Sequence, residues 1–103
     1  MKLQISSLKF DADITLLDFI QKKADKLDTF FDRIIDGEVN LIVENTDSQE
    51  NKLVEMKINV PGATLFAKEV SKSFEASTDM AVEALRRQIK KHKGKLIDRQ
   101  QAV

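Results

Sequence analysis

The chain has 103 residues, and its charges cancel because 17 Lys and Arg are matched by 17 Asp and Glu, with one His. This length predicts a single domain. The absence of Cys excludes disulfide stapling, cysteine-liganded zinc and thiol chemistry, and it favours a reducing compartment. No apolar run approaches the roughly 18 residues of a membrane-spanning helix, and the first residues lack the apolar core of a signal peptide. We therefore expect a cytoplasmic globular domain.

The neutral total conceals two opposed blocks of charge. Residues 86–99 carry seven Lys and Arg against one Asp, a net charge of +6, with His92 in addition. Residues 1–85 carry the compensating charge of −6. A basic segment of this density creates a strong local field even in a protein without net charge. A zero total therefore does not exclude a nucleic-acid partner.

The first part of the chain predicts a strand followed by a helix. Apolar and polar residues alternate over residues 2–9, which predicts a strand. Residues 15–18 have the pattern of a capping box, with Thr15 at the N-cap. Apolar residues then recur at three- and four-residue steps, which predicts an amphipathic helix to about residue 31. The pair Asp36-Gly37 predicts the next turn.

Three further strands are predicted in the middle of the chain. Period-two alternation indicates strands over residues 39–43 and 54–60, separated by a polar loop. Pro61-Gly62 is a turn pair, because Pro presets φ and Gly tolerates a positive φ. A fourth strand is expected to begin at Thr64 and to reach about Ser71.

The last predicted element is a long basic helix. Ser77 or Thr78 is suited to cap it, and Gly94 is expected to fray or end it. The resulting order, β-α-β-β-β-α, predicts an α+β sandwich with two helices packed on one face of a four-stranded sheet. This layout is like that of double-stranded-RNA-binding domains.

The basic residues of this helix form a broad arc on the helical wheel, away from an apolar stripe. The arc can be a phosphate-binding surface that releases counterions, or a solvated face with cations near the negative end of the helix dipole. Only Asp98 balances the arc, and this favours phosphate binding. If the first helix packs alongside, Lys23 and Lys26 continue the same surface.

No constellation of residues indicates catalysis or metal binding. His92 is the only His and has no positioned partner that would make it a general base, so we expect it to pack or to contact phosphate. Metal sites need several ligands, and His and Cys are almost absent. The six Phe residues are expected to lie mostly in the core rather than to stack on bases. We therefore expect no enzyme activity, no metal and no cofactor.

Two segments carry a resemblance to a known family. Residues 79–96 (DMAVEALRRQIKKHKGKL) combine an Asp-Met opening, an Arg-Gln-Ile step and a Lys-His-Lys tail, and residues 23–34 read KADKLDTFFDRI. These segments resemble the second helix and the end of the first helix of the ribosome hibernation-promoting factors, also called ribosome-associated inhibitor or sigma-54 modulation proteins. The resemblance covers nearly the whole chain, and the predicted element order is that family's fold.

The resemblance implies a non-enzymatic translation inhibitor. Such a protein binds the rRNA of the small ribosomal subunit in the mRNA and tRNA channel, and it inactivates or protects idle ribosomes in stationary phase or stress. It implies one ribosome-binding domain over residues 1–99 with a short tail, residues 100–103, and we expect a monomer without a membrane or small-molecule partner. The rRNA-contacting positions carried over from the family are Lys23, Lys26, Arg86, Arg87, Lys90, Lys91 and Lys93, with Lys22, His92 and Lys95 as weaker candidates.

From the resemblance we expect the short hibernation-promoting subtype, because the sequence shows neither the acidic tail of the inhibitor subtype nor the second domain of the long form. Ala81 stands where family members often carry an aromatic residue, and residues 68–78 are longer than in the shortest members. Two other functions stay open at this point. One is a protein-binding transcription regulator whose basic helix meets an acidic protein surface, and the other is a generic double-stranded RNA binder.

Overall fold

The structure is a computed structural model that describes the backbone of residues 1–101 and the side chains of residues 1–94. It consists of a four-stranded sheet in the order β1-β2-β3-β4 with helices on one face. The elements are β1 (Leu3–Leu8), α1 (Ile14–Asp25), α2 (Leu27–Phe30), β2 (Asp36–Val43), β3 (Lys52–Val60), β4 (Ala63–Ser71) and α3 (Phe74–Gln101). β1 and β2 are parallel, and the other two neighbouring pairs are antiparallel. The predicted α+β sandwich is confirmed, with the short α2 as an additional element.

The core lies between the helices and one face of the sheet. Val39, Met56 and Ala67 face each other across β2, β3 and β4, and all three are buried. The helices pack against this row with fully buried side chains such as Ile20 of α1 and Leu85 of α3. Each large aliphatic side chain that is buried in this way contributes about 1.5–3 kcal/mol. This shared core fixes the positions of α1 and α3 on the sheet.

α1 begins two residues earlier than the capping-box pattern predicts. Asp13, not Thr15, is the N-cap, and its carboxylate accepts a hydrogen bond from the Leu16 N–H at 2.8 Å. Both side chains are of types that cap helices, but Asp ranks above Thr at this position. The earlier carboxylate therefore caps the helix, and the predicted role of Thr15 is wrong.

The single helix predicted to reach about residue 31 is interrupted at Lys26. Thr29 donates to the Lys26 carbonyl oxygen from both its backbone N–H (3.1 Å) and its hydroxyl (2.6 Å), an i to i+3 pattern. A hydroxyl that bonds to nearby backbone competes with the regular helical ladder. The chain therefore makes the four-residue α2 and then turns to an extended conformation at Phe31, whose side chain is buried.

Asp36 and Gly37 are part of β2 and do not form the predicted turn. Gly37 lies opposite Leu3 of β1 and Ile58 of β3. A Cβ atom added at Gly37 would lie 2.9 Å from the Leu3 Cδ1 and 3.2 Å from the Lys57 carbonyl oxygen. Gly37 is therefore needed because the neighbouring strands and their side chains leave no room for a Cβ atom. Such a close approach is a common reason for glycine within a sheet.

α3 begins before Ser77 and Thr78, the two residues predicted to cap it. Ser73 precedes the helix, and its Oγ accepts a hydrogen bond from the Ala76 N–H at 3.0 Å. Ser77 and Thr78 belong to α3 itself, and both side chains are fully buried. The Ser77 hydroxyl donates to the Lys52 carbonyl oxygen of β3 at 2.5 Å. Phe74, the first helical residue, packs against the core and stacks on Phe10 with ring centroids 5.1 Å apart.

Gly94 does not end α3, because the helix continues to Gln101. A single glycine costs a helix only about 1 kcal/mol relative to alanine. The predicted boundary between domain and tail, at residues 99 and 100, falls in the last turn of α3. Residues 102–103 lie outside the described residues.

The N-cap assignment predicts a difference between two neighbouring substitutions. Asp13→Ala removes the acceptor for the Leu16 N–H and should lower the free energy of unfolding by about 1 kcal/mol. Thr15→Ala removes an exposed hydroxyl and should change it by less than about 0.5 kcal/mol. Urea denaturation of the two variants measures both values, and equal losses would contradict the assignment.

Candidate nucleic-acid interface

The orientation of α3 is set by two contacts with the sheet. Leu85 and Ile89 are buried against the core. Gln88 reaches the edge of β4, where its Nε2 donates to the Phe66 carbonyl oxygen (2.7 Å) and its Oε1 accepts from the Phe66 N–H (3.3 Å). Successive helical residues are about 100° apart, so these contacts direct the remaining side chains away from the sheet.

α1 and α2 lie alongside α3, as expected for the surface that the two predicted helices share. The Lys23 Nζ is 3.1 Å from the Asp79 Oδ1, which joins α1 to the first half of α3. The Lys93 Nζ donates to the Phe30 carbonyl oxygen at 2.6 Å, which joins α2 to the second half of α3. The two helical segments therefore run in the same direction, and their cations lie on one side of the molecule.

The basic surface consists of the exposed cations of these helices, and it includes most of the positions predicted to contact rRNA. The exposed members are Lys22, Lys26, Arg86, Arg87, Lys90, Lys91 and Lys93. Lys23 and His92 are half-buried. Lys95, a weaker candidate, lies outside the described side chains. The structure thus brings the candidate residues together, while their contacts with rRNA stay a prediction.

Two cations of this region already have acidic partners. Lys23 pairs with Asp79, as above, and Arg86 donates to both carboxylate oxygens of Glu83, from Nε (3.1 Å) and from Nη2 (2.7 Å). Among the side chains of residues 1–94, the other cations of the basic surface have no acidic partner within 4.0 Å. The positive charge that is available to a ligand is therefore concentrated along the second half of α3.

The Glu83–Arg86 pair changes the titration of both groups. Hydrogen bonds from the Arg86 guanidinium, aided by its charge, hold the pKa of the Glu83 carboxyl below its ordinary value of 4.5. The same hydrogen bonds raise the pKa of Arg86. Both side chains are exposed, so water and salt screen this pair and its contribution to stability is small. In this geometry both hydrogen bonds favour the orientation in which the Arg86 guanidinium lies over the Phe30 ring.

His92 packs inside the helical layer. Its ring meets the ring of Phe31 edge to face, with centroids 5.8 Å apart and an interplanar angle of 88°. The Nε2 atom is buried and makes no hydrogen bond to a described residue. The expected packing role is therefore present, and a phosphate contact by His92 stays a prediction.

Phe30 is an exposed aromatic residue of this surface that the sequence did not single out, because the sequence predicted only that most of the six Phe residues lie in the core. Four of the six Phe residues are buried or half-buried, but Phe30 and Phe66 are 42% and 48% exposed. The Arg86 guanidinium carbon lies 5.6 Å from the centroid of the Phe30 ring. The signal in the sequence is the pair Phe30-Phe31, since neighbouring side chains point in different directions and only one of them faces the core.

No metal site is found among the described residues, because they contain no group of three or more His, Cys, Asp or Glu that could hold an ion. Within the same part of the chain, no helix is both long and apolar enough to cross a membrane.

The Glu83–Arg86 geometry predicts an acid-shifted carboxyl. In the wild-type protein Glu83 should stay ionised as the pH falls through 4.5 and should titrate only below that value. Arg86→Gln removes the cationic donor, so the midpoint should rise toward 4.5. NMR detection of the side-chain carboxyl carbon during an acid titration measures both midpoints. A wild-type midpoint at or above 4.5, or an unchanged midpoint in the variant, would contradict the pairing.

Comparison with known proteins relates the whole domain to one family. The family profile described as "Sigma 54 modulation protein / S30EA ribosomal protein" matches residues 3–97. The ribosome hibernation promoting factor of Azotobacter vinelandii is 33% identical over 101 residues, which cover 98% of this chain and 91% of that protein. The ribosome hibernation promotion factor of Deinococcus radiodurans is 29% identical over 99 residues, covering 95% of this chain but only 52% of that protein.

Two solved structures share the fold. A ribosomal subunit interface protein from Coxiella burnetii matches with a TM-score of 0.81 at 21% identity, over 91% of this chain and 99% of that one. The N-terminal domain of Thermus thermophilus Protein Y matches with a TM-score of 0.78 at 22% identity, over 89% of this chain and 99% of that one. Because the family profile also spans nearly all of the chain, the protein belongs to the Sigma 54 modulation protein / S30EA ribosomal protein family.

Proposed function

We propose that this protein is a non-enzymatic translation inhibitor of cytoplasmic ribosomes. It binds the rRNA of the small subunit in the mRNA and tRNA channel, and it inactivates or protects idle ribosomes in stationary phase or stress. The observation that carries the proposal is the basic surface, whose cations along the second half of α3 are exposed and lack acidic partners among the described side chains. The names of the relatives in Azotobacter and Deinococcus support the ribosome as the partner.

Phosphate contacts supply the affinity in this mechanism. Each phosphate neutralised by Lys or Arg releases condensed counterions, and this release drives binding without reading the base sequence. Specificity comes from the shape of folded RNA, which a rigid surface matches better than a flexible one. α3 meets this requirement because its core residues and the Gln88 contact with β4 fix its orientation.

The candidate contacts differ in how freely they can meet a phosphate. Arg87, Lys90 and Lys91 are exposed and have no acidic partner among the described side chains, so we assign them the main contacts. Lys26 and Lys93 extend the surface toward α1 and α2. Four candidates contribute less in this proposal, because they are paired, half-buried or peripheral: Lys22, Lys23, Arg86 and His92. Lys95 stays a weaker candidate from the family resemblance alone, because its side chain lies outside the described residues.

The first test is the salt dependence of binding to purified small subunits. Contact with about six phosphates predicts a slope of roughly −4 to −5 in a plot of log affinity against log salt concentration. Sedimentation of the protein with small subunits at several salt concentrations gives this slope. A flat profile would show that the basic surface does not carry the affinity.

The second test reverses the three main charges. The triple variant Arg87→Glu, Lys90→Glu and Lys91→Glu should fold normally, because all three side chains are exposed. It should lose binding to small subunits at physiological salt, and at low salt its slope should be reduced by about three. Retained binding by the folded variant would contradict the assignment.

The matched control makes the same change in total charge elsewhere. Lys2, Lys68 and Lys72 are exposed and lie outside the helical face, so their replacement by Glu should leave most of the affinity in place. Equal losses in the two triple variants would mean that net charge matters and not the basic surface.

A sucrose gradient of ribosomes with the wild-type protein separates this proposal from its alternatives. It reports association, subunit preference and the formation of ribosome dimers together. Capture by RNA polymerase holoenzyme without association with small subunits would favour a transcription regulator. Binding to free RNA duplexes as tight as that to small subunits would favour a generic double-stranded RNA binder.

A further inference from the structure

A cleft opens between α2 and the second half of α3, inside the basic surface. Its volume is about 440 Å³, which lies in the range of sites that hold small organic ligands. The lining residues of this cleft include Thr29, Phe30, Arg86, Ile89, Lys90 and Lys93. An aromatic ring and an aliphatic side chain therefore lie among three cations at one opening.

The walls of this cleft are held in place before any ligand arrives. The Lys93 Nζ donates to the Phe30 carbonyl oxygen at 2.6 Å, which ties the end of α2 to α3. Glu83 fixes the guanidinium of Arg86 through two hydrogen bonds, and that guanidinium lies 5.6 Å from the Phe30 ring centroid. Ile89 is buried and belongs to the core. These contacts reduce the side-chain entropy that Arg86 and Lys93 would lose on binding, although both contacts are exposed to solvent.

The Phe30 ring is unusual in its position. It is 42% exposed, although an aromatic ring buries far more apolar area when it packs in a core. The Arg86 guanidinium lies over this ring, 5.6 Å from its centroid, and its charge is matched by Glu83, so Arg86 is a weak candidate for a phosphate contact. A guanidinium of this kind presents a flat surface on which a base stacks well, as does the ring of Phe30.

We propose that this cleft accepts one unpaired nucleotide, with its base stacked on Phe30 and Arg86 and its flanking phosphates on Lys90 and Lys93. Lys93 gives one of its three N–H donors to the Phe30 carbonyl oxygen and keeps two for a phosphate. Lys90 is exposed at the same opening. This inference rests on the proposed function for its RNA partner, and it adds that the basic surface recognises an unstacked base as well as backbone.

The experiment compares two single-stranded probes with equal numbers of phosphates. One is a hexamer of deoxyadenylate, and the other is a hexamer of tetrahydrofuran abasic units, which lacks bases. The wild-type protein should bind the deoxyadenylate hexamer about 5- to 150-fold more tightly, since stacking on one platform is worth that factor. Fluorescence anisotropy of labelled probes at fixed salt measures the ratio.

Three variants locate the base contact. Phe30→Ala should bring the ratio to within about twofold of one, and Phe30→Leu should lose most of it while it keeps the apolar volume. Phe66→Ala is the matched control, because Phe66 has a similar exposure of 48% but lies on β4 with its neighbour Ala67 facing the core. It should leave the ratio unchanged. Thermal melts confirm that each variant is folded.

Several results would overturn the proposal. They are equal affinity of the wild-type protein for both hexamers, an unchanged ratio in Phe30→Ala and Phe30→Leu, and a loss of the ratio in Phe66→Ala as large as in Phe30→Ala. Small-subunit binding is measured in parallel, where Phe30→Ala should weaken affinity without changing the salt slope. Failure of the wild-type protein to bind small subunits would refute the proposed function, whereas the hexamer ratio judges the cleft independently.

Discussion

The docking of α3 on the sheet is the contact on which every functional feature depends. Leu85 and Ile89 bury the apolar stripe, and the Gln88 amide fills both hydrogen-bonding positions of Phe66 at the edge of β4. The amide thereby also covers backbone groups of an edge strand that could otherwise hydrogen-bond with a strand of another chain. Because each residue turns the helix by about 100°, a shift of one position would rotate the cations toward the core. The basic surface is thus a consequence of core packing and a single edge contact.

Electrostatic pairing then divides the helical surface into two regions. In the first half of α3, Asp79 forms a salt bridge with Lys23 and Glu83 forms one with Arg86, so the local charge is largely balanced. In the second half the cations of residues 87–93 have no such partners among the described side chains. Exposed pairs of this kind add little stability, but they shape the field that an approaching polyanion meets. The neutral total of the chain is therefore compatible with a strongly basic binding region.

Periodicity in the sequence was sufficient to predict the four strands, the two long helices and the basic arc, because alternation and helical spacing directly reflect burial. It was insufficient at the ends of elements, where several polar residues compete for one role. Asp13 and Ser73 cap the helices in place of Thr15 and of Ser77 or Thr78. Gly37 pairs with Leu3, which lies 34 residues earlier in the sequence, and the absence of a Cβ atom leaves room for the Leu3 side chain. Within a short window of sequence, the same glycine is typical of a turn. These outcomes depend on tertiary contacts that no short window contains.

The exposed Phe30 follows from the same interruption that separates α1 from α2. The neighbouring Phe31 packs in the core. The turn at Lys26 leaves the Phe30 ring at the surface, where it contacts the Arg86 guanidinium. A binding region built from a few lysines gains affinity from any polyanion and loses it as salt rises. Stacking on an aromatic platform releases no counterions, so it adds affinity that persists at physiological salt and requires an accessible base. Under the two proposals, phosphate contacts and base stacking together would let a chain without net charge bind RNA and discriminate among its folded forms.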